Sequence, residues 1–104
     1  MAKQPVAPGS VVWLPCGLMN GIFPTERQVK IEVVVGDTGQ TIFGFIPAED
    51  VRPGANEQQG YVRAVVLRPV NGKVELVFRG EILSASNPVA VSREWLEKVG
   101  DREA

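Results

Sequence analysis

Gln28 to Ile46 reads QVKIEVVVGDTGQTIFGFI, and this stretch decides the fold. Val29, Ile31, Val33 and Val35 fall on one side of a two-residue period, with Lys30, Glu32 and Val34 on the other. That alternation is the mark of a strand with one buried face. Gly36-Asp37-Thr38-Gly39 has the length and composition of a hairpin turn, and Thr41 to Ile46 is the return strand. Gly44 within it predicts a bulge or a close backbone approach.

Downstream the pattern repeats. Tyr61 to Arg68 (YVRAVVLR) and Lys73 to Arg79 (KVELVFR) flank Asn71-Gly72, the dipeptide that a type I′ turn favours. Between the hairpins, Pro47 to Val51 (PAEDV) predicts one tight helical turn, and Arg52 to Gly60 a loop. Upstream, Ser10 to Leu14 (SVVWL) predicts a strand that Pro15-Cys16-Gly17 interrupts, followed by a loop holding Leu18, Met19, Ile22 and Phe23. Glu81 to Ser84 extends the sheet, Asn87-Pro88 turns, and Val89 to Val91 is a short strand. Ser92 caps a helix over Arg93 to Val99, with Glu94 and Lys98 paired across one turn and Gly100 at its end.

These elements predict an all-β domain over 10–99. It is a closed or partly open antiparallel barrel of about five or six strands with a short C-terminal helix, since closure removes exposed strand edges. Both an OB-like and an SH3-like topology fit the order. Residues 1–9 predict a flexible lead-in and 100–104 a fraying tail.

Composition narrows the chemistry. The 104 residues include no His and one Cys, with a net charge of −1. The common zinc sites and the Ser-His-Asp and Cys-His nucleophile schemes therefore have no ligands or base to use. Glu49-Asp50 is the one adjacent carboxylate pair that opens the helical turn, where it offsets the turn's dipole. Cys16 suits a small buried hydrophobe. No catalysis, cofactor or metal is expected. No apolar run has the length of a membrane span, and no leader pattern opens the chain, so the expected location is cytoplasmic.

Residues Gly44-Phe45-Ile46-Pro47-Ala48-Glu49-Asp50-Val51 carry a resemblance. They are similar to the strand end and short acidic turn of the RNA-binding OB-fold domain repeated in the largest small-subunit ribosomal protein, the S-one domain. Gly60 to Leu67, Asn71-Gly72 and Lys73 to Arg79 occupy the places of its next strand, turn and strand. The resemblance spans residues 29–80. It departs at Val33-Val34-Val35, where that family carries an aromatic, and at Pro47, where it often has a His. It implies a surface for single-stranded RNA or a ribonucleoprotein.

Two sets of candidate binding residues follow. With Val29, Ile31, Val33, Ile42, Ile46, Val74, Leu76 and Phe78 inward, the opposite face offers Lys30, Phe43, Phe45, Lys73 and Arg79, joined by Arg63. Cations with interleaved aromatics suit RNA, because bases stack on rings while cations meet phosphates. Against this, residues 27–80 carry a net charge of only +1, and Phe43 and Phe45 also suit a core. The second set is Leu18, Met19, Ile22, Phe23 and Trp95, apolar residues outside the strand pattern that suit a protein partner or a second copy. Trp95 also suits a plug for one open barrel end. A protein–protein adaptor or small subunit of a larger assembly is thus the alternative to an RNA binder.

Overall fold

A computed structural model describes residues 7–20, 24–83 and 87–102. The strands are β1 (Val11–Asn20), β2 (Glu26–Val35), β3 (Thr38–Pro47), β4 (Val51–Pro53), β5 (Gln59–Val70), β6 (Lys73–Val77), β7 (Glu81–Ile82), β8 (Val89–Ser92) and β9 (Asp101–Arg102). A 3₁₀ turn, Ala48–Asp50, follows β3, and helix α1 (Arg93–Val99) follows β8. Every pairing is antiparallel, along the path β7-β3-β2-β1-β5-β6-β8, with β4 added on β5 and β9 on β1. The sheet curls into a half-barrel, and β8 comes round against β2.

The inner face is the one the alternation predicts. All eight residues assigned inward, from Val29 to Phe78, are at most 2% exposed. Val12, Leu14, Cys16 and Leu18 join them from β1, and Val62, Ala64 and Val66 from β5. Each buried aliphatic side chain of this size contributes about 1.5–3 kcal/mol, so this one layer dominates stability. Asn71 and Gly72 adopt φ of 48° and 76°, as their type I′ turn requires. Ser92 caps α1, its Oγ accepting from the Trp95 N–H at 3.4 Å. A seven-residue helix is not stable alone; Leu96, 2% exposed, holds it to the core, with Trp95 and Val99 packed alongside.

The structure corrects several expectations. There are nine strands among the described residues, because β4 and β9, in the expected loop and tail, add themselves to β5 and β1 beside the main ladder. β1 does not stop at Pro15-Cys16-Gly17. It pairs with β5 over Val11–Gly17 and with β2 over Gly17–Asn20, on opposite edges. Pro15 lies between its stretches on β9 and β2, where a missing N–H forfeits least. Leu18, expected on a loop, is therefore a core residue, 7% exposed. Part of the expected loop 52–60 is also strand, leaving 54–58 as the β4–β5 connection. Asp101 and Arg102 do not fray; they pair with Trp13 and Val12. Gly44 marks a close approach rather than a bulge, since β2 and β3 keep an unbroken register. A Cβ there would lie 2.8 Å from the Glu81 carbonyl oxygen and 2.9 Å from Ile82 Cδ1. A glycine in β3 is thus what lets β7 dock.

Candidate functional site

The register places a distinct outer face on β7, β3, β2 and β1. Phe43 lies opposite Lys30 on β2, and the Leu83 N–H donates to the Phe43 carbonyl at 2.8 Å on the other side. One row further, Phe45 lies between Glu81 of β7 and Gln28 of β2, with Met19 of β1 beyond Gln28. Both phenylalanines are half-buried and stand outside the core cluster. Leu83 is 51% exposed and Met19 41%. These are the large apolar side chains of the face that alternation turns away from the core.

Alternation also fixes the charges of this face. Glu26, Gln28, Lys30 and Glu32 share one side of β2, and Glu81 enters from β7. Among the described residues of these four strands, the face therefore carries three carboxylates, Glu26, Glu32 and Glu81, against one cation, Lys30. Its lower end opens into a groove of about 1050 Å³ lined by Pro24, Thr25, Glu26, Phe45, Pro47, Ala48, Glu49, Gly80 and Glu81. Gly80 makes this corner. Its φ is +96°, and a Cβ there would run into the Phe45 carbonyl oxygen. The turn it permits puts Glu81 beside Phe45.

The remaining nominated cations are elsewhere. Arg79 is spent on the 3₁₀ turn: its Nη2 lies 3.1 Å from Glu49 Oε1 and its Nη1 3.4 Å from Asp50 Oδ2. Asp50 is only 5% exposed, so the guanidinium offsets a buried carboxylate. The contact to Oδ2 is ionic without hydrogen-bond geometry, while Oδ1 accepts a long bond of 3.5 Å. Arg63 sits on β5 opposite Trp13, whose ring carries the Arg52 guanidinium 3.8 Å from its centroid. Lys73 starts β6, opposite Val70 and Ser92. Lys30, Phe43 and Phe45 thus come together as nominated, while Arg63, Lys73 and Arg79 do not join them.

Of the apolar set, Met19 belongs to this face and Leu18 to the core, while Ile22 and Phe23 lie outside the described residues. Trp95 is half-buried against the core and ends a second groove of about 680 Å³, where Lys30 and Glu32 face Tyr61, Gln58 and Gln59. Cys16 lines that groove too. Burial pushes its thiol up to about 11, with the Arg27 charge opposing, so it is protonated near neutral pH.

Sequence reading missed Glu26, Glu81 and Leu83. The parity of β2 already puts Glu26 with Lys30. The docking of β7 on β3 joins residues nearly forty apart and has no local signal. Among the described residues, no group of three or more His, Cys, Asp or Glu is placed to hold a metal ion. No described helix is long and apolar enough to cross a membrane. No protein-family model, curated protein or solved structure matches the chain.

Proposed function

We propose that this protein is a non-catalytic binding module that engages a protein partner through the outer face of β7, β3, β2 and β1. One observation supports the reading above others. Among the described residues, Phe43, Phe45, Met19 and Leu83 share that face with three carboxylates and one cation. Apolar side chains gathered on a sheet face mark an interaction surface. The excess of carboxylate repels a phosphate backbone, whose binding depends on clustered lysine and arginine. The RNA reading suggested by the S-one resemblance draws on Arg63, Lys73 and Arg79 as well, and these lie on β5, at the start of β6 and in ion pairs with Glu49 and Asp50, away from the strands that carry Phe43 and Phe45.

Affinity purification of the tagged chain from its own cells tests this. The expected result is a discrete protein that survives ribonuclease treatment. It is lost when Met19 and Leu83 are replaced by glutamate, which leaves the core untouched. Recovery that ribonuclease abolishes, or that the double variant leaves intact, overturns the reading. A mixed-sequence single-stranded RNA binding tightly near 50 mM salt overturns it as well, since electrostatic attraction is strong there.

A further inference from the structure

Among the described residues, the groove at the lower end of the outer face is lined by one aromatic, two prolines and an alanine, with carboxylates and no cation. Glu49 is occupied by Arg79 at 3.1 Å. Glu26 and Glu81 form no ion pair among the described residues. Their placement around Phe45 is set by the ladder. Glu81 is directly across from Phe45 on β7, and Glu26, opposite Pro47, is its diagonal neighbour on β2. Adjacent cross-strand Cβ atoms lie about 4.5–5.5 Å apart and diagonal ones about 7–8 Å. The Phe45 ring thus stands between two unneutralised carboxylates.

We infer that this groove takes a basic extended segment of a partner protein, seating a lysine or arginine over Phe45 between Glu26 and Glu81. The inference rests on the protein-binding reading and names the partner's chemistry. A cation over an aromatic face is attracted by the ring quadrupole, and two flanking carboxylates add to that attraction. The aliphatic stem of the same side chain covers the proline and alanine surface. Pro47 and Ala48 begin the 3₁₀ turn that Asp50 and Arg79 tie down, and Gly80 fixes the opposite wall, so the groove is preformed. A preformed groove orders only the incoming segment, which lowers the entropic cost of binding. Like charge excludes RNA and acidic peptides from the same place.

The test is fluorescence anisotropy with a labelled pentapeptide alternating arginine and leucine, titrated with the full chain near 50 mM salt. A matching peptide with glutamate for arginine is the control. Expected is binding of the basic peptide alone, weakened on the order of tenfold by Glu26→Gln with Glu81→Gln. The pair Glu94→Gln with Glu97→Gln removes equal charge from α1 and leaves affinity unchanged. Phe45→Leu weakens binding while conserving an apolar side chain. Neither Glu26 nor Glu81 supports the fold through an ion pair among the described residues, so the Glu26→Gln, Glu81→Gln variant keeps the parent's thermal midpoint.

A basic peptide that does not bind, or that binds equally to the α1 and groove variants, overturns the inference. Self-association that Glu81→Gln abolishes also overturns it, in favour of a second copy as occupant. A partner still recovered by affinity purification and lost on the Met19 and Leu83 substitutions, with no peptide binding, overturns the groove alone. Loss of both results overturns the protein-binding reading too.

Discussion

Replacing Phe45 by alanine removes a ring that lies outside the core cluster, whereas replacing Phe78 removes one at its centre. Phe78 is 2% exposed and ranks among the largest fully buried side chains. Truncating such a residue costs about 3–5 kcal/mol, the lost transfer energy plus the cavity left behind. Phe45 is half-buried, with solvent on one side and neighbours on adjacent strands. Its truncation leaves an open dent instead of a cavity, so the cost is near half of full burial, about 1–2 kcal/mol. In a domain of this size 1 kcal/mol moves the thermal midpoint by about 4–8 °C. Phe45→Ala should therefore lower it by roughly 5–15 °C and keep cooperative unfolding. Phe78→Ala should lower it by about 12–40 °C or abolish the transition, given total stabilities of about 5–15 kcal/mol. Urea and thermal melts followed by circular dichroism measure both. Equal losses for the two variants would refute the assignment of an outer and an inner face.

Three further outcomes are expected. Cys16 has a folded pKa of about 11 against a usual 9.0, so the unfolded chain loses its proton first as pH rises. Its contribution is complete below pH 9 and is lost between pH 9 and about 11, a loss of about 2–3 kcal/mol that Cys16→Ala removes; parallel pH–stability curves for the two proteins would contradict this. Gly80→Ala combines positive φ with a collision at the Phe45 carbonyl, while Gly72→Ala meets positive φ with nothing within 4 Å. The first should destabilise by at least about 1 kcal/mol more than the second in urea titrations. Arg79→Gln strands the buried Asp50 carboxylate and should cost about 1–2 kcal/mol, discounted because Arg79 is 57% exposed. Adding Asp50→Asn should recover part of that loss, which a double-mutant cycle measures.

What the sequence made legible was whatever repeats at short range. The alternation of Val29, Ile31 and Val33, and of Val74, Leu76 and Phe78, gave the inner face, because side-chain direction in a strand has period two. Asn71-Gly72 gave its hairpin because few residues accept positive φ. Ser92 gave the start of α1. The same parity set Phe43 and Phe45 opposite the core, but composition alone left them as candidates for either side. Leu18 was misjudged because Pro15-Cys16-Gly17 looks like a break; the strand continues by exchanging β5 for β2 as its partner. Arg79 looked available for phosphate because its partners, Glu49 and Asp50, lie about thirty residues earlier. Glu81 and Leu83 reach the site through Gly44 and Gly80, and a glycine's spacing does not disclose which strand approaches it.

The face itself is tested most directly by a photo-activated cross-linking amino acid at position 83, compared with one at position 94 on α1, in intact cells. Leu83 is 51% exposed on the proposed face, and Glu94 is exposed on the helix. The account predicts a discrete protein adduct from position 83, reduced by Phe45→Ala, and none from position 94. An RNA adduct from position 83, or equal protein adducts from both positions, would contradict it.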